Sequence, residues 1–215
     1  MSDATILEDY QGLLQSKKLP QGQKKALLAA IELFAKQGFD GTSTAQIAER
    51  AGISQATIFK YFKTKADLLN AVIGPVAHDL FPKIQEDFIQ EIKQNSVKSR
   101  QELVHFIVFN RFAFIKKNRQ VIKIMLQEAL TNPDFVSEIR EASKKRLAEN
   151  PRLVASVKSI LLEKHPEYEA LDLIRLISAP IAAYFVQRFV LLPEKAADED
   201  RDLNLIVDQI LDALK

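Results

Sequence analysis

The chain has 215 residues, 47% hydrophobic and 27% charged, with a formal net charge of +2; such a balance suits a globular protein with material for a substantial core. It contains no cysteine, so disulfides, thiolate metal sites and thiol nucleophiles are excluded together. Charge is unevenly spread: from Lys17 to Lys65 nine Lys or Arg stand against three Asp or Glu, whereas the segments on either side are net acidic. The basic segment is where a phosphate-binding surface is expected.

The opening residues MSDATILEDY are acidic and lack an apolar signal core, and the most apolar stretches are interrupted by His105, Asn110 and Arg111 or by Pro180, Gln187 and Arg188. These features predict a cytoplasmic protein with no membrane partner. Residues 3–16 place Ile6, Leu7, Tyr10, Leu13 and Leu14 on one helical face, so residues 1–20 form an extension ahead of the first domain. A loop at 17–21 precedes a helix whose stripe is Ala26, Leu27, Ala30, Ile31, Phe34 and Ala35, ended by Gly38. All six glycines lie in the first 74 residues, which favours helices over hairpins in the remainder and an all-α fold.

Residues 38–62, GFDGTSTAQIAERAGISQATIFKYF, spell a helix-turn-helix. Ile47, Ala48 and Ala51 recur at helical spacing, Gly52 supplies a permissive turn, and Ile58, Phe59 and Phe62 supply the apolar positions of a second helix. Thr44 and Ser54 stand where N-caps are expected. Between the apolar positions of the second helix lie Gln55, Thr57, Lys60 and Tyr61, side-chain types that contact DNA. Thr64 with Asp67 predicts a capping box that opens a helix through Leu68, Leu69, Val72 and Ile73. That helix connects a DNA-binding domain at 21–70 to a body at 71–215.

In residues 22–70 the ordered set Gly38-Phe39, Thr42-Ser43-Thr44, Ile47-Ala48, Ala51-Gly52-Ile53-Ser54, Phe59 through Lys65 and Leu68-Leu69 closely resembles the tetracycline-repressor (TetR) family of bacterial regulators. The resemblance implies a homodimer with an all-α ligand-binding body, bound to double-stranded DNA and usually acting as a repressor. It also implies that the helix from Gln55 to Phe62 enters the major groove, with Gln55, Ala56 and Thr57 meeting base edges. Gln pairs bidentately with adenine, and the methyls of Ala56 and Thr57 suit a thymine methyl. Ser43, Thr44, Tyr61 and Lys65 match positions that hold phosphates in the family, and Lys60 reaches base or backbone. Two positions depart from the pattern: Phe59 replaces a usual tyrosine, and Ala45 stands where some members place a long base-reading side chain.

Downstream, helices are predicted at about 79–95, 100–117, 119–130, 134–149, 152–164, 167–192 and 202–214, separated by Asn118, Pro133, Pro151, Pro166 and the acidic stretch 193–202. In residues 103–115 apolar groups point in nearly every direction, so this helix is expected to be buried on most sides. Arg111 and Glu128 each fall on apolar stripes and need partners, because an unpaired buried charge costs several kcal/mol. Two readings stand: the two charges pair with each other or reach water, or they and Asn110 line a pocket with Phe106, Phe109, Phe112 and Met125 for a small apolar or amphipathic effector. Ala179, Ala182 and Ala183 around Pro180 allow close helix approach, and Leu203, Ile206, Val207, Ile210 and Leu214 form a narrow stripe. These features predict a four-helix homodimer interface from the two C-terminal helices, with packing inside one chain as the alternative.

Catalysis is not expected. His78, His105 and His165 are far apart in sequence, and no phosphate-cradling glycine loop, metal spacing or nucleophile elbow occurs. No cofactor or metal is called for. The sequence therefore reads as a ligand-responsive regulator that binds a palindromic operator as a dimer; a helix-turn-helix dimer without a small ligand, controlled by protein contacts, is the alternative.

Overall fold

The computed structural model describes residues 5–94, 99–163, 165, 167–194 and 196–215, all helix and connecting segments with no strand among them. The chain divides into two compact units, residues 1–88 with 118–146, and residues 89–117 with 147–215.

In the first unit α1 (Ile6–Ser16) opens with a capping box between Thr5 and Glu8 and buries Ile6, Tyr10 and Leu14. It packs on α2 (Gln21–Gln37), whose Ala26, Leu27, Ala30, Ile31 and Phe34 are nearly inaccessible. α3 (Thr44–Ala51) and α4 (Gln55–Tyr61) fold against α2 through Ile47, Ala48 and Ile58, joined by Phe62 just beyond α4. Each fully buried Leu, Ile or Phe contributes about 1.5–3 kcal/mol to holding the three helices together. Ser43 caps α3 rather than the expected Thr44, because its hydroxyl accepts from the Gln46 amide while the Gln46 side chain returns to the Ser43 amide. The predicted Ser54 cap and the Thr64/Asp67 capping box both form.

α5 (Lys65–Pro75) does not end before the next predicted helix. The helical path continues through a π segment, Val76–Leu80, into α6 (Phe81–Gln94). Pro75 and Pro82 both lack a donor, and between them the backbone widens so that the Phe81 amide reaches the Val76 carbonyl five residues back. α8 (Arg119–Thr131) packs on α2, and α9 (Pro133–Glu149) follows it.

The second unit is built on α7 (Arg100–Lys117), whose Leu103, Val104, Ile107, Val108 and Phe112 are buried. α11 (Ala170–Val186), continued by a π segment at Gln187–Leu191, and α12 (Glu199–Ala213) pack on α7; α10 (Pro151–Leu161) completes the set. Arg100 ties the ends together by donating to the carbonyls of Ile160 at 3.2 Å and Leu214 at 2.7 Å. The expected break at Pro166 lies outside the described residues.

The C-terminal stripe is a correction. Leu203, Ile206, Val207, Ile210 and Leu214 are all buried within this chain, with Ile210 1% exposed, so they form the seam of α12 inside its own unit and are not available to a second copy. What faces outward is a different set: Leu171, Ile174, Val190, Leu191 and Leu192 on and after α11, and Leu205 on α12, 54% exposed. Ala179, Ala182 and Ala183 are exposed too. Ala170–Leu191 is long and apolar enough to cross a membrane by length and composition, yet Leu173, Ile177, Ile181 and Phe185 on it are buried core.

Candidate nucleic-acid interface

The turn between α3 and α4 depends on Gly52, which takes up the left-handed conformation at φ 63° and ψ 40°, a region that disfavours a Cβ. The Ile53 amide then bonds the Ala48 carbonyl at 3.1 Å, and Ser54 starts α4. Ile58 and Phe62 point inward, 1% and 5% exposed, so the opposite face of α4 is turned to solvent.

That outward face carries Gln55, Ala56 and Lys60 exposed and Thr57 and Tyr61 half-buried. Phe59, expected among the apolar anchors, is 46% exposed and belongs to this surface instead. A seven-residue helix can bury only one narrow stripe, and Ile58 with Phe62 already fills it.

Several of these side chains hold one another. Gln55 Nε2 donates to Thr44 Oγ1 at 2.7 Å, which joins α4 to the start of α3, and the Ser54 and Thr57 hydroxyls are 2.8 Å apart. Lys60 Nζ lies 5.8 Å from the Tyr61 ring centroid. Lys65 is engaged more deeply: its ammonium donates to the carbonyls of Phe39 at 2.9 Å and Thr42 at 3.0 Å, and lies 4.1 Å from the Phe39 ring centroid. It thereby pins the loop between α2 and α3, with one of its three N–H donors left over. Ser43, besides capping α3, is exposed beside Thr44.

Gly22, at the start of α2, is a contributor that the sequence does not advertise. A Cβ there would meet Thr57 Cγ2 at 3.1 Å and the Tyr61 ring at 3.5 Å, so the missing side chain is what lets α2 lie against α4. Only the fold brings these positions, 35 residues apart in number, together.

The proposed effector residues divide between the units. On α7, Asn110 bridges: its Nδ2 donates to Glu91 Oε2 at 2.6 Å, and its Oδ1 accepts from the Arg111 guanidinium. Burial lowers the Arg111 pKa to about 10, opposed by the Glu91 carboxylate, and the side chain stays charged near neutrality. Phe109 stacks on His105 at 4.1 Å and Phe106 is half-buried, whereas Phe112 is fully buried and packs on Tyr184 and Phe189 at 5.0 and 6.2 Å. On α8, Glu128 is buried and accepts from Asn132 Nδ2 at 3.0 Å, and Met125 is half-buried. Each charge thus has a partner within its own unit. Among the described residues no three His, Asp or Glu side chains gather to hold a metal.

Comparison with known proteins agrees with this geometry. The sequence profile described as bacterial regulatory proteins, tetR family, matches residues 26–72, from α2 into α5. A curated relative, the HTH-type transcriptional regulator YvkB of Bacillus subtilis, is 27% identical over 121 residues, covering 55% of this chain and 58% of that protein. The chain spans little more than half the length of the curated relatives it matches. Among solved structures, a TetR family transcription regulator from Marinobacter aquaeolei VT8 has a TM-score of 0.59 at 20% identity, covering 90% of this chain and 95% of that one. The transcriptional regulator FadR from Bacillus subtilis, in complex with stearoyl-CoA, has a TM-score of 0.53 at 20% identity, covering 88% and 96%. At such identities the structures speak for the fold alone, and the likeness to regulators rests on the N-terminal match and the curated relatives, which are regulators and not enzymes. Over its N-terminal domain, residues 26–72, the chain matches the tetR family of bacterial regulatory proteins.

Proposed function

We propose that this protein is a cytoplasmic homodimeric transcriptional regulator that binds a palindromic operator and is released by a small apolar or amphipathic effector. The observation that carries the DNA-binding part is the outward face of α4, where Gln55, Ala56, Thr57 and Lys60 stand over an anchor of buried Ile58 and Phe62. Gln55, Ala56 and Thr57 read bases, Lys60 reaches base or phosphate, and Ser43, Thr44, Tyr61 and the remaining donor of Lys65 hold phosphates. A dimer presents two such helices to half-sites about 34 Å apart.

The outward apolar set on α11 and α12 supports the second copy: Leu171, Ile174, Val190, Leu191, Leu192 and Leu205 form more exposed apolar surface than scattered single residues need. An effector that binds one form of the dimer more tightly shifts the population toward it, by no more than its differential affinity. The polar group of such an effector suits the Asn110–Arg111–Glu91 network beside Phe106 and Phe109. An amphipathic acyl ligand is the favoured class, in keeping with stearoyl-CoA in the FadR structure of related fold. Repression is the proposed sense of regulation.

Binding-site selection from a random duplex pool tests the reading. It should enrich a two-fold symmetric sequence with half-sites one turn apart; enrichment of no palindrome would overturn it.

A further inference from the structure

In the first unit a cleft of about 350 Å³ opens between the last turn of α2 and the first two turns of α8. Three cations line it, Lys36 from α2 and Arg119 and Lys123 from α8, together with Gln120 and Gln127, and no carboxylate does. All three cations are exposed, and among the described residues none takes part in an ion pair or side-chain hydrogen bond. Several other cations of this unit are paired with carboxylates: Lys17 meets Asp79, Arg50 meets Glu32, Lys83 meets Asp9 and Arg146 meets Glu86. Nor do the cations serve the helix they start. The first turn of α8 carries no acid, and positive side chains at a helix N-terminus oppose its dipole.

We propose that this cleft is a binding site for a small anion bearing two or more negative charges, a phosphate ester or a di- or tricarboxylate. Three like charges around one concavity repel each other and concentrate counter-ions there, and a multiply charged anion is the ligand that relieves the repulsion. Gln120 and Gln127 add neutral donors that orient its oxygens, and the volume suits a compact metabolite. The apolar side chains that line the cleft, Phe34, Ala35 and Ile124, are buried and offer little apolar surface, so a long hydrocarbon ligand is not accommodated. Because α2 also carries α3 and α4, an anion held between α2 and α8 ties the DNA-reading helices to α8. That regulatory consequence rests on the DNA-binding reading above, whereas the binding itself does not.

The test is titration of the isotopically labelled full chain with citrate and, separately, pyrophosphate, followed by amide shifts. Either anion should produce saturable shifts at residues 36–38 and 119–123 that sodium chloride of equal ionic strength does not reproduce. The variant Lys36→Gln/Arg119→Gln/Lys123→Gln should weaken binding at least tenfold with its helical signal unchanged. A response to pyrophosphate alone, or to citrate alone, supports the site and names its chemistry. Shifts equal to those in sodium chloride, or equal affinity in the variant, overturn it. Loss of affinity for random duplex DNA in the variant without any anion response also overturns it and assigns the cations to the DNA backbone. Failure of anion binding leaves the palindrome selection untouched.

Discussion

The clearest quantitative consequence of the helix-turn-helix packing lies at Gly22. In Gly22→Ala the new Cβ sits 3.1 Å from Thr57 Cγ2, against an optimum of about 3.5–4.0 Å between carbon atoms. The overlap cannot be relieved freely, because the Thr57 hydroxyl is engaged with Ser54 at 2.8 Å and the Tyr61 ring lies 3.5 Å from the same Cβ. Turning Thr57 some 30° off its rotamer costs about 0.5–1.5 kcal/mol. If Thr57 must return to its wild-type rotamer to meet a base, one such site on each of two α4 helices costs DNA binding about 1–3 kcal/mol, an affinity loss of about 5- to 150-fold. Alanine in the helix is at the same time favoured over glycine by about 0.5–1 kcal/mol, which offsets most of any strain in the free protein, so folding stability should change by less than about 1 kcal/mol while DNA affinity falls. Fluorescence anisotropy on the selected duplex, paired with chemical denaturation, separates the two. Gly12→Ala is the control, because nothing lies within 4 Å of its added Cβ. Wild-type affinity in Gly22→Ala, or equal losses in both glycine variants, would refute the claim that α2 positions α4.

Leu205→Glu should convert the dimer to monomers in sedimentation with helical content intact, whereas Ile210→Glu should unfold the second unit, since a charge placed at a 1% exposed position costs several kcal/mol; a persistent Leu205→Glu dimer would reject the outward face as the interface. Tyr10 is completely buried and its hydroxyl finds no partner among the described residues, so Tyr10→Phe should stabilise the protein by about 1 kcal/mol, raising Tm by roughly 2–4 °C. Burial also pushes the Tyr10 pKa upward; the folded state then holds the proton more tightly than the unfolded chain, and stability is level below about pH 10 and declines above it. Tyr10→Phe should lose that part of the alkaline decline, and an unchanged pH profile would count against the assignment. Lys65→Met should lower Tm, because the carbonyls of Phe39 and Thr42 no longer receive its ammonium. It should also reduce the salt slope of DNA binding by about 1 for each phosphate that the ammonium neutralises in the wild type; an unchanged slope would make Lys65 purely structural. Gln55→Ala should relax preference at one base pair by about 1–3 kcal/mol while leaving the others intact, as read by competition with single-base operator variants.

Local chemistry is legible in the sequence wherever cause and effect lie within about four residues. The Gly38 stop, the Gly52 turn, the Ser54 cap and the Thr64/Asp67 box all form as expected, because each satisfies backbone groups next to it. The same reasoning puts the first cap one residue late: Ser43 and Thr44 both have suitable hydroxyls, and only the path of the chain decides which one meets the Gln46 amide. Phe59 is expected among the anchors because apolarity says what a residue would gain by burial, not whether a short helix has room for it.

Composition, periodicity and capping thus determined an all-α chain with a helix-turn-helix near its N-terminus, because these signals are intrinsic to short segments. The tertiary structure alone decided how the helices share their surfaces. A stripe such as Leu203 to Leu214 has the same spacing whether it meets its own chain or a second copy, and here it is spent internally, leaving Leu205 and the outer face of α11 exposed. Gly22 beside Thr57, Lys65 beneath the α2–α3 loop, and Lys36 facing Arg119 and Lys123 across one cleft are likewise non-local. Such pairings arise when the burial of separate stripes brings distant residues together, and no local pattern encodes them.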